Sequence, residues 1–72
     1  FLVDARAEVD DLCKGLNADF GEAAGFQTAA GLVLSVLGRL PEEGETLQTA
    51  GWHVEVVDMD ERRIDKLIFR KL

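Results

Sequence analysis

Two acidic turns are the parts of the sequence whose residue types and spacing could bind a metal ion. They contain Glu42, Glu43 and Glu45 in the first turn and Asp58, Asp60 and Glu61 in the second. Clustered carboxylates supply the hard oxygen ligands that Mg²⁺ and Ca²⁺ take in proteins. Neither turn has the Asp/Asn spacing and final bidentate glutamate of an EF-hand. The acidic turns could form a divalent-cation site or could simply be solvated. We favour solvated turns and assign no metal ligand.

The sequence marks no nucleophile–base pair, and none of its many carboxylates is marked as one of a buried pair for acid–base catalysis. His53 is the single histidine and Cys13 the single cysteine, and the spacing places no serine or cysteine beside His53 as a nucleophile. One cysteine excludes an internal disulfide and a multi-cysteine zinc site. We expect Cys13 to be a small core side chain and His53 to lie on a strand surface. The sequence predicts no enzyme, no catalytic residue and no cofactor.

A glycine-rich phosphate loop is also excluded. Gly31 and Gly38 are not followed by a Lys-Ser/Thr pair, and no G-x-G-x-x-G occurs. Gly31 lies in a predicted helix, where glycine costs about 1 kcal/mol relative to alanine. We expect it to allow the close approach of another backbone.

Composition and charge limit the classes of partner. The 72 residues suffice for one domain, and the net charge of −6 divides into −10 over residues 1–61 and +4 over residues 62–72. The acidic body argues against nucleic acid as a partner. The uncharged run between Ala23 and Gly38 is shorter than the roughly 20 residues that span a bilayer, which argues against direct membrane insertion. A start at Phe1 without a targeting signal predicts a fragment of a longer protein.

The first half of the chain predicts a strand and two helices. An apolar strand over residues 1–3 precedes a helix over residues 8–16, because Val9, Leu12, Cys13 and Leu16 recur at helical spacing. A loop or loose turn over residues 17–25 follows, held to the core by Phe20 and Phe26. The next helix covers residues 28–37, with Thr28 as its N-cap.

The second half predicts turns and strands. Gly38 is the expected left-handed end of the second helix, Arg39 faces the negative end of its dipole, Pro41 stops it, and Gly44 supplies a positive φ. Strands are expected over residues 46–49, 52–57 and 62–72. Ala50-Gly51 turns the first hairpin, residues 58–61 turn the second with its tip at Asp60-Glu61, and a bulge lies at Asp65-Lys66.

Four segments together resemble the transporter-associated domain of the CorC/HlyC family. They are residues 26–34 (FQTAAGLVL), 37–45 (LGRLPEEGE), 54–60 (VEVVDMD) and 62–67 (RRIDKL). The opening Leu2-Val3-Asp4-Ala5-Arg6 and the Val9-Asp10-Asp11-Leu12 helix extend the resemblance over nearly the whole chain. Ala5 and Glu61 depart from the family pattern, which usually has glycine at these turn positions.

The resemblance implies an α+β fold, in which a small, mostly antiparallel sheet of about four strands in the order β-α-α-β-β-β packs against two helices. The fold is similar to a piece of flavin-binding oxidoreductases, but no flavin is inferred. Residues 1–72 would form one domain of a hemolysin-like or magnesium/cobalt efflux membrane protein, beside CBS-type domains and transmembrane helices at the cytoplasmic face.

That context implies a non-catalytic regulatory or assembly domain, with a homodimer as one arrangement. The alternative is a ligand sensor that binds a divalent cation at the acidic turns or an adenine nucleotide in a cleft.

Overall fold

The computed structural model describes residues 1–17 and 27–72, and the elements in these ranges follow the predicted order. Strand β1 is Leu2–Asp4, helix α1 is Val9–Leu16, helix α2 is Ala29–Leu37, strand β2 is Thr46–Thr49, strand β3 is Trp52–Asp60 and strand β4 is Arg63–Lys71. Most of the loop predicted over residues 17–25, with Phe20 and Phe26, lies outside the described residues. No helix in the described ranges has the length and apolar character needed to cross a membrane.

The four strands form one antiparallel sheet in the order β1-β4-β3-β2. β1 and β2 are therefore the edge strands, and the long β3–β4 hairpin forms the centre. Ala50 and Gly51 join β2 to β3 with φ angles of 51° and 81°. Two consecutive left-handed residues are typical of the tight I′ turn, whose twist matches that of the flanking strands. The turn predicted at this position is confirmed.

One face of the sheet packs against the two helices. Period-two alternation directs Trp52, Val54 and Val56 of β3 to this face, and all three are buried. The helical spacing of Val9, Leu12 and Leu16 directs these α1 side chains to the same core. Further buried side chains come from every other element: Val3, Ala29, Leu32, Val33, Leu47, Ile64, Leu67 and Phe69. The α+β architecture predicted from the sequence is confirmed.

The β3–β4 ladder contains two irregularities that compensate each other. Val56 opposes Leu67 and Asp58 opposes Lys66, so Val57 is an extra residue in β3. Further along, Met59 opposes Ile64, which leaves Asp65 as an extra residue in β4. The bulge predicted at Asp65-Lys66 is confirmed, whereas the matching irregularity at Val57 was not predicted.

The tip of the second hairpin differs from the prediction by one residue. Residues 58–61 were expected to turn the chain, but β3 continues to Asp60, which opposes Arg63. The turn residues are therefore Glu61 and Arg62, and Glu61 has a φ of 58°. Because Met59 packs against the core and Asp60 contacts Arg63 (Oδ2 to Nη2, 3.2 Å), the strand gains from extending this far.

Both predicted ends of helix α2 are confirmed. The Thr28 hydroxyl accepts a hydrogen bond from the Gly31 N–H at 3.1 Å, as an N-cap does. Gly38 ends the helix with a φ of 72°, and its N–H donates to the Leu34 carbonyl at 2.8 Å. The close backbone approach expected at Gly31 stays a prediction.

Candidate functional site

The first acidic turn does not gather its three carboxylates. The Glu45 carboxylate accepts hydrogen bonds from both Nη atoms of Arg39, of which Nη1 lies 3.0 Å from Oε1, and from the Glu42 N–H at 3.0 Å. The bonds from Arg39 lower the pKa of Glu45. Glu43 turns away, and its Oε1 accepts from the Met59 N–H at 3.4 Å. Glu45 therefore closes the turn that joins α2 to β2.

Arg39 differs from its prediction. It was expected to complement the helix dipole, but its guanidinium binds Glu45 and the Leu40 carbonyl instead. A bidentate pair with a carboxylate is stronger than an interaction with the partial charge at a helix end, because the guanidinium fork matches two carboxylate oxygens. This pair holds the segment that contains Pro41, which is itself buried.

The second acidic turn is also dispersed. Asp60 is paired with Arg63, Glu61 is exposed at the hairpin tip, and Asp58 points towards Asp65. Residues 1–17 and 27–72 contain no group of three histidine, cysteine or carboxylate side chains arranged to hold a metal ion. Neither predicted set of three carboxylates therefore forms a metal site.

Asp58 of the second set lies beside Asp65, which the sequence did not single out as a ligand, and Glu43 of the first set adds negative charge nearby. Asp58 faces Asp65 so that the two carboxyl groups can share a hydrogen bond when one is protonated, and this raises the pKa of Asp58. Loss of hydration and the negative charges of Asp65 and Glu43 raise it further, while Lys66 opposes the shift. Lys66 also approaches Asp65 (Nζ to Oδ2, 3.3 Å). The signal that could have found this group was the bulge predicted at Asp65.

The N-terminus of α2 is occupied by the chain itself. The amides of Ala29 and Ala30 donate to the carbonyls of Ala7 and Ala5, both at 2.9 Å. The Gly31 amide donates to Thr28 Oγ1. A nucleotide phosphate is commonly held by such amides, but here they have internal partners. This helix end gives no support to the adenine-nucleotide alternative.

The remaining chemistry-bearing residues are separate from one another. His53 is half-buried in β3, on the side of the sheet opposite the core, where Glu55 also lies. Cys13 is partly buried on α1 and packs against the core cluster. Both positions agree with the surface and core roles predicted for them.

An open groove lies between the edge of β1 and helix α1, and we name it the β1–α1 groove. Its volume is about 320 Å³, and its lining includes Leu2, Asp4, Asp11, Leu12 and Gly15. Its walls are mostly apolar, since Leu12 and Leu16 contribute from the helix. Leu2 is 66% exposed, although it is a large apolar residue. The sequence did not predict this groove, because the approach of α1 to β1 is a tertiary feature.

Comparison with known proteins identifies the family of this chain. The CorC_HlyC family model, described as a transporter associated domain, matches residues 1–72. The polyamine export protein of Salmonella typhimurium is 32% identical over 73 residues, which cover 100% of this chain and 16% of that protein. The magnesium and cobalt efflux protein CorC of Escherichia coli is 33% identical over 64 residues, which cover 89% of this chain and 22% of that protein. The chain thus spans only about a fifth of the length of these relatives.

Solved structures agree with this comparison. The transporter associated domain of a Xylella fastidiosa Temecula1 hemolysin, solved in complex with Mg²⁺ and Mn²⁺, superposes with a TM-score of 0.89 at 39% identity, covering 100% of this chain and 86% of that one. The transporter associated domain of a CBS domain protein from Porphyromonas gingivalis gives a TM-score of 0.88 at 27% identity, covering 99% and 86%. The resemblance seen in the sequence is confirmed: the chain belongs to the CorC_HlyC family of transporter associated domains.

Proposed function

We propose that residues 1–72 form a single non-catalytic domain that regulates or assembles a cation export protein at the cytoplasmic face of the membrane. The family match over the whole chain carries this proposal. Relatives named for polyamine export and for magnesium and cobalt efflux contain the domain as a small part of a much longer chain. Polyamine export extends the range of cargo beyond the metal ions that the resemblance implied.

The distribution of polar groups supports a role in contact rather than chemistry. Every buried side chain among the described residues is apolar. The arginines of three surface ion pairs bind Asp4, Glu45 and Asp60. The interior of the domain therefore serves packing, and its paired charges serve local contacts. Such a domain would act on a neighbouring domain through its surface. Its partners would be the CBS-type and transmembrane parts of the same protein, in keeping with the Porphyromonas gingivalis neighbour.

A domain replacement tests this function. The corresponding segment of the Salmonella typhimurium polyamine export protein would be deleted or replaced by residues 1–72, and polyamine export and membrane abundance of the protein would be measured. We expect deletion to change export or abundance and replacement to restore it at least partly. Unchanged export and abundance after deletion would contradict a regulatory or assembly role.

Divalent-cation sensing is a second candidate, favoured by the Asp58–Asp65 pair, beside which Glu43 adds a third negative charge. The described residues hold no preformed three-ligand group, so a cation would have to draw these carboxylates together. The Xylella fastidiosa relative was solved with Mg²⁺ and Mn²⁺. A ligand present at 100 times its dissociation constant would stabilise the fold by about 2.7 kcal/mol. We expect Mg²⁺ or Mn²⁺ to raise the Tm of the wild type and of D60N but not of D65N. Equal shifts in D60N and D65N would argue against this group as the cation site.

A further inference from the structure

The outer edge of β1 presents backbone groups that can accept another strand. Val3 opposes Leu67, and hydrogen bonds on either side join Phe69 N–H to Phe1 C=O at 2.8 Å and Ala5 N–H to Asp65 C=O at 2.9 Å. Because bonding alternates along an antiparallel strand, the N–H and C=O of Leu2 point away from β4. Within the described ranges, no strand lies against that edge.

The β1–α1 groove lies alongside this edge, where an added strand would run. Asp11 and Gly15, four residues apart on α1, form one wall together with Ala7, which precedes the helix, and Leu2 and Asp4 belong to the other. A strand paired with β1 would place alternate side chains in the groove, next to Leu12 and Leu16. Backbone bonds would then provide affinity, and the apolar groove would provide selectivity.

Gly15 is unusual because its backbone does not require glycine. It lies within α1, its φ is not positive, and a Cβ built there would meet no atom within 4 Å. Glycine in a helix interior costs roughly 0.5–1 kcal/mol relative to alanine. Its lack of a side chain leaves space in the groove that the chain itself does not use.

Charge determines which partner suits this edge. Asp4 is paired with Arg6, whose Nη2 lies 3.3 Å from Oδ2, whereas Asp11 takes part in none of the ion pairs of the described residues. Glu8, the N-cap of α1, and Asp10 are also exposed, and Lys14 is the single base of this helix, so its surface stays acidic. A second copy added at β1 would bring two such acidic helices together, and like charges repel. A basic segment complements the groove instead.

We propose that the β1 edge and the β1–α1 groove bind an extended polypeptide segment whose groove-facing positions are apolar except for one lysine or arginine. The segment adds to the sheet as a fifth strand, places its apolar side chains in the groove and sets a basic side chain against Asp11. The proposal rests on the proposed function, because it names the contact by which this domain engages the rest of the export protein.

The test uses a six-residue peptide with leucine, valine and lysine at its three groove-facing positions and threonine between them, and a matched peptide in which glutamate replaces lysine. The isolated domain is a suitable sample, since a relative was solved as a chain of which this domain covers 86%. Binding would be measured by calorimetric titration and mapped by amide chemical shifts. We expect only the basic peptide to bind, with the largest shifts at Leu2, Asp4 and Gly15.

Three variants locate the binding. G15L fills the groove without disfavouring the helix, and we expect it to weaken binding about tenfold or more. D11N removes the rim charge and should weaken binding about two- to fivefold, the range of an exposed ion pair. D10N removes an acid from the same helix outside the groove lining and is the control, for which we expect a smaller change.

Several results would overturn the proposal. Equal binding by wild type and G15L, or equal losses in D10N and D11N, would indicate general attraction to an acidic surface. Dimerisation in sedimentation experiments that G15L abolishes would show that a second copy occupies the edge. Absence of peptide binding alongside a changed export rate in the domain-deletion experiment would refute this contact while leaving the proposed function intact.

Discussion

Val57 of β3 and Asp65 of β4 are each an extra residue in the same ladder, and their effects on the register cancel. The register is consequently the same before and after this region. Ile64 and Leu67 can then both face the core, although three positions separate them and an uninterrupted strand would direct them to opposite faces. The carbonyl of Asp65 is used as well, because it accepts from the Ala5 N–H at 2.9 Å.

Deletion of Asp65 alone is expected to destabilise the domain more than deletion of Val57 and Asp65 together. The single deletion leaves the two strands unequal in this region and moves Ile64 off the core face, which should cost about 2–5 kcal/mol, as truncation of a buried isoleucine does. The double deletion restores equal strands with the same residues facing inward. Urea unfolding gives the free energy of each variant. A double variant as unstable as the sum of the two single ones would contradict compensation.

The sequence could predict one half of this arrangement. The odd spacing of Ile64 and Leu67 indicates a bulge in β4, because both residues are apolar and a regular strand cannot bury both on one face. Val57 gives no such signal, since it follows Val56 in a run of β-branched residues typical of any strand. The hairpin tip was misplaced for a similar reason: Glu61 takes a left-handed conformation without being glycine or asparagine.

The raised pKa of Asp58 predicts a stability change that depends on pH. A carboxyl group whose pKa is raised on folding contributes stability that is fully present below its ordinary pKa of 3.8 and is lost as the pH rises through the raised value. At pH 7, Asp58 faces the charges of Asp65 and Glu43. D58N should therefore raise the Tm at pH 7 and change it little well below pH 3.8. Thermal unfolding at both pH values measures this.

The matched control for this prediction is D60N. Asp60 belongs to the same strand but faces Arg63, so its neutralisation removes an attraction instead of a repulsion. We expect D60N to leave the Tm at pH 7 unchanged or lower it. A rise of equal size in D58N and D60N would point to relief of the overall negative charge of the chain, and not to the Asp58–Asp65 contact.

Two glycines are expected to respond to alanine in opposite directions. G15A should stabilise the domain by up to about 1 kcal/mol, because Gly15 lies in the last turn of α1 without a positive φ. G38A should destabilise it by about 1–2 kcal/mol, because Gly38 has a φ of 72°. At both positions a new Cβ meets no atom within 4 Å, so the backbone alone decides the sign.

The measurement is urea unfolding of both variants beside the wild type, and thermal unfolding gives a second reading. In a domain of this size, 1 kcal/mol corresponds to a Tm change of about 4–8 °C. Stabilisation by both substitutions would show that the left-handed end of α2 is not required. Destabilisation by G15A would contradict the free space beside Gly15.

Local signals were predictable and tertiary ones were not. Thr28, Gly38 and Gly44 act within a few residues of their own positions, so each cap or turn follows from the sequence alone. The approach of Asp58 to Asp65 depends on the register of β3 against β4. Arg39 lies between these cases: its partner is six residues away, and only the turn between them brings the two side chains together.

The Arg39–Glu45 pair should contribute more to stability than the other surface ion pairs. Both Nη atoms of Arg39 bind the carboxylate, whose side chain is only 20% exposed, whereas the Arg63–Asp60 pair is 71% and 63% exposed. Bidentate and shielded pairs are stronger than solvated ones. R39A is therefore expected to lower the Tm at pH 7 more than R63A does. Equal Tm values for R39A and R63A would contradict a special role for Arg39.

The pH dependence of the same pair provides an independent test. Hydrogen bonds from Arg39 lower the pKa of Glu45, so the stability they provide is present above the ordinary pKa of 4.5 and is lost as the pH falls through the lowered value. E45Q should lower the Tm at pH 7, and the difference from wild type should shrink under strong acid. A Tm difference that persisted at every pH would assign the role of Glu45 to its bond with the Glu42 N–H. A glutamine oxygen at position 45 can accept that bond only if the turn keeps its shape.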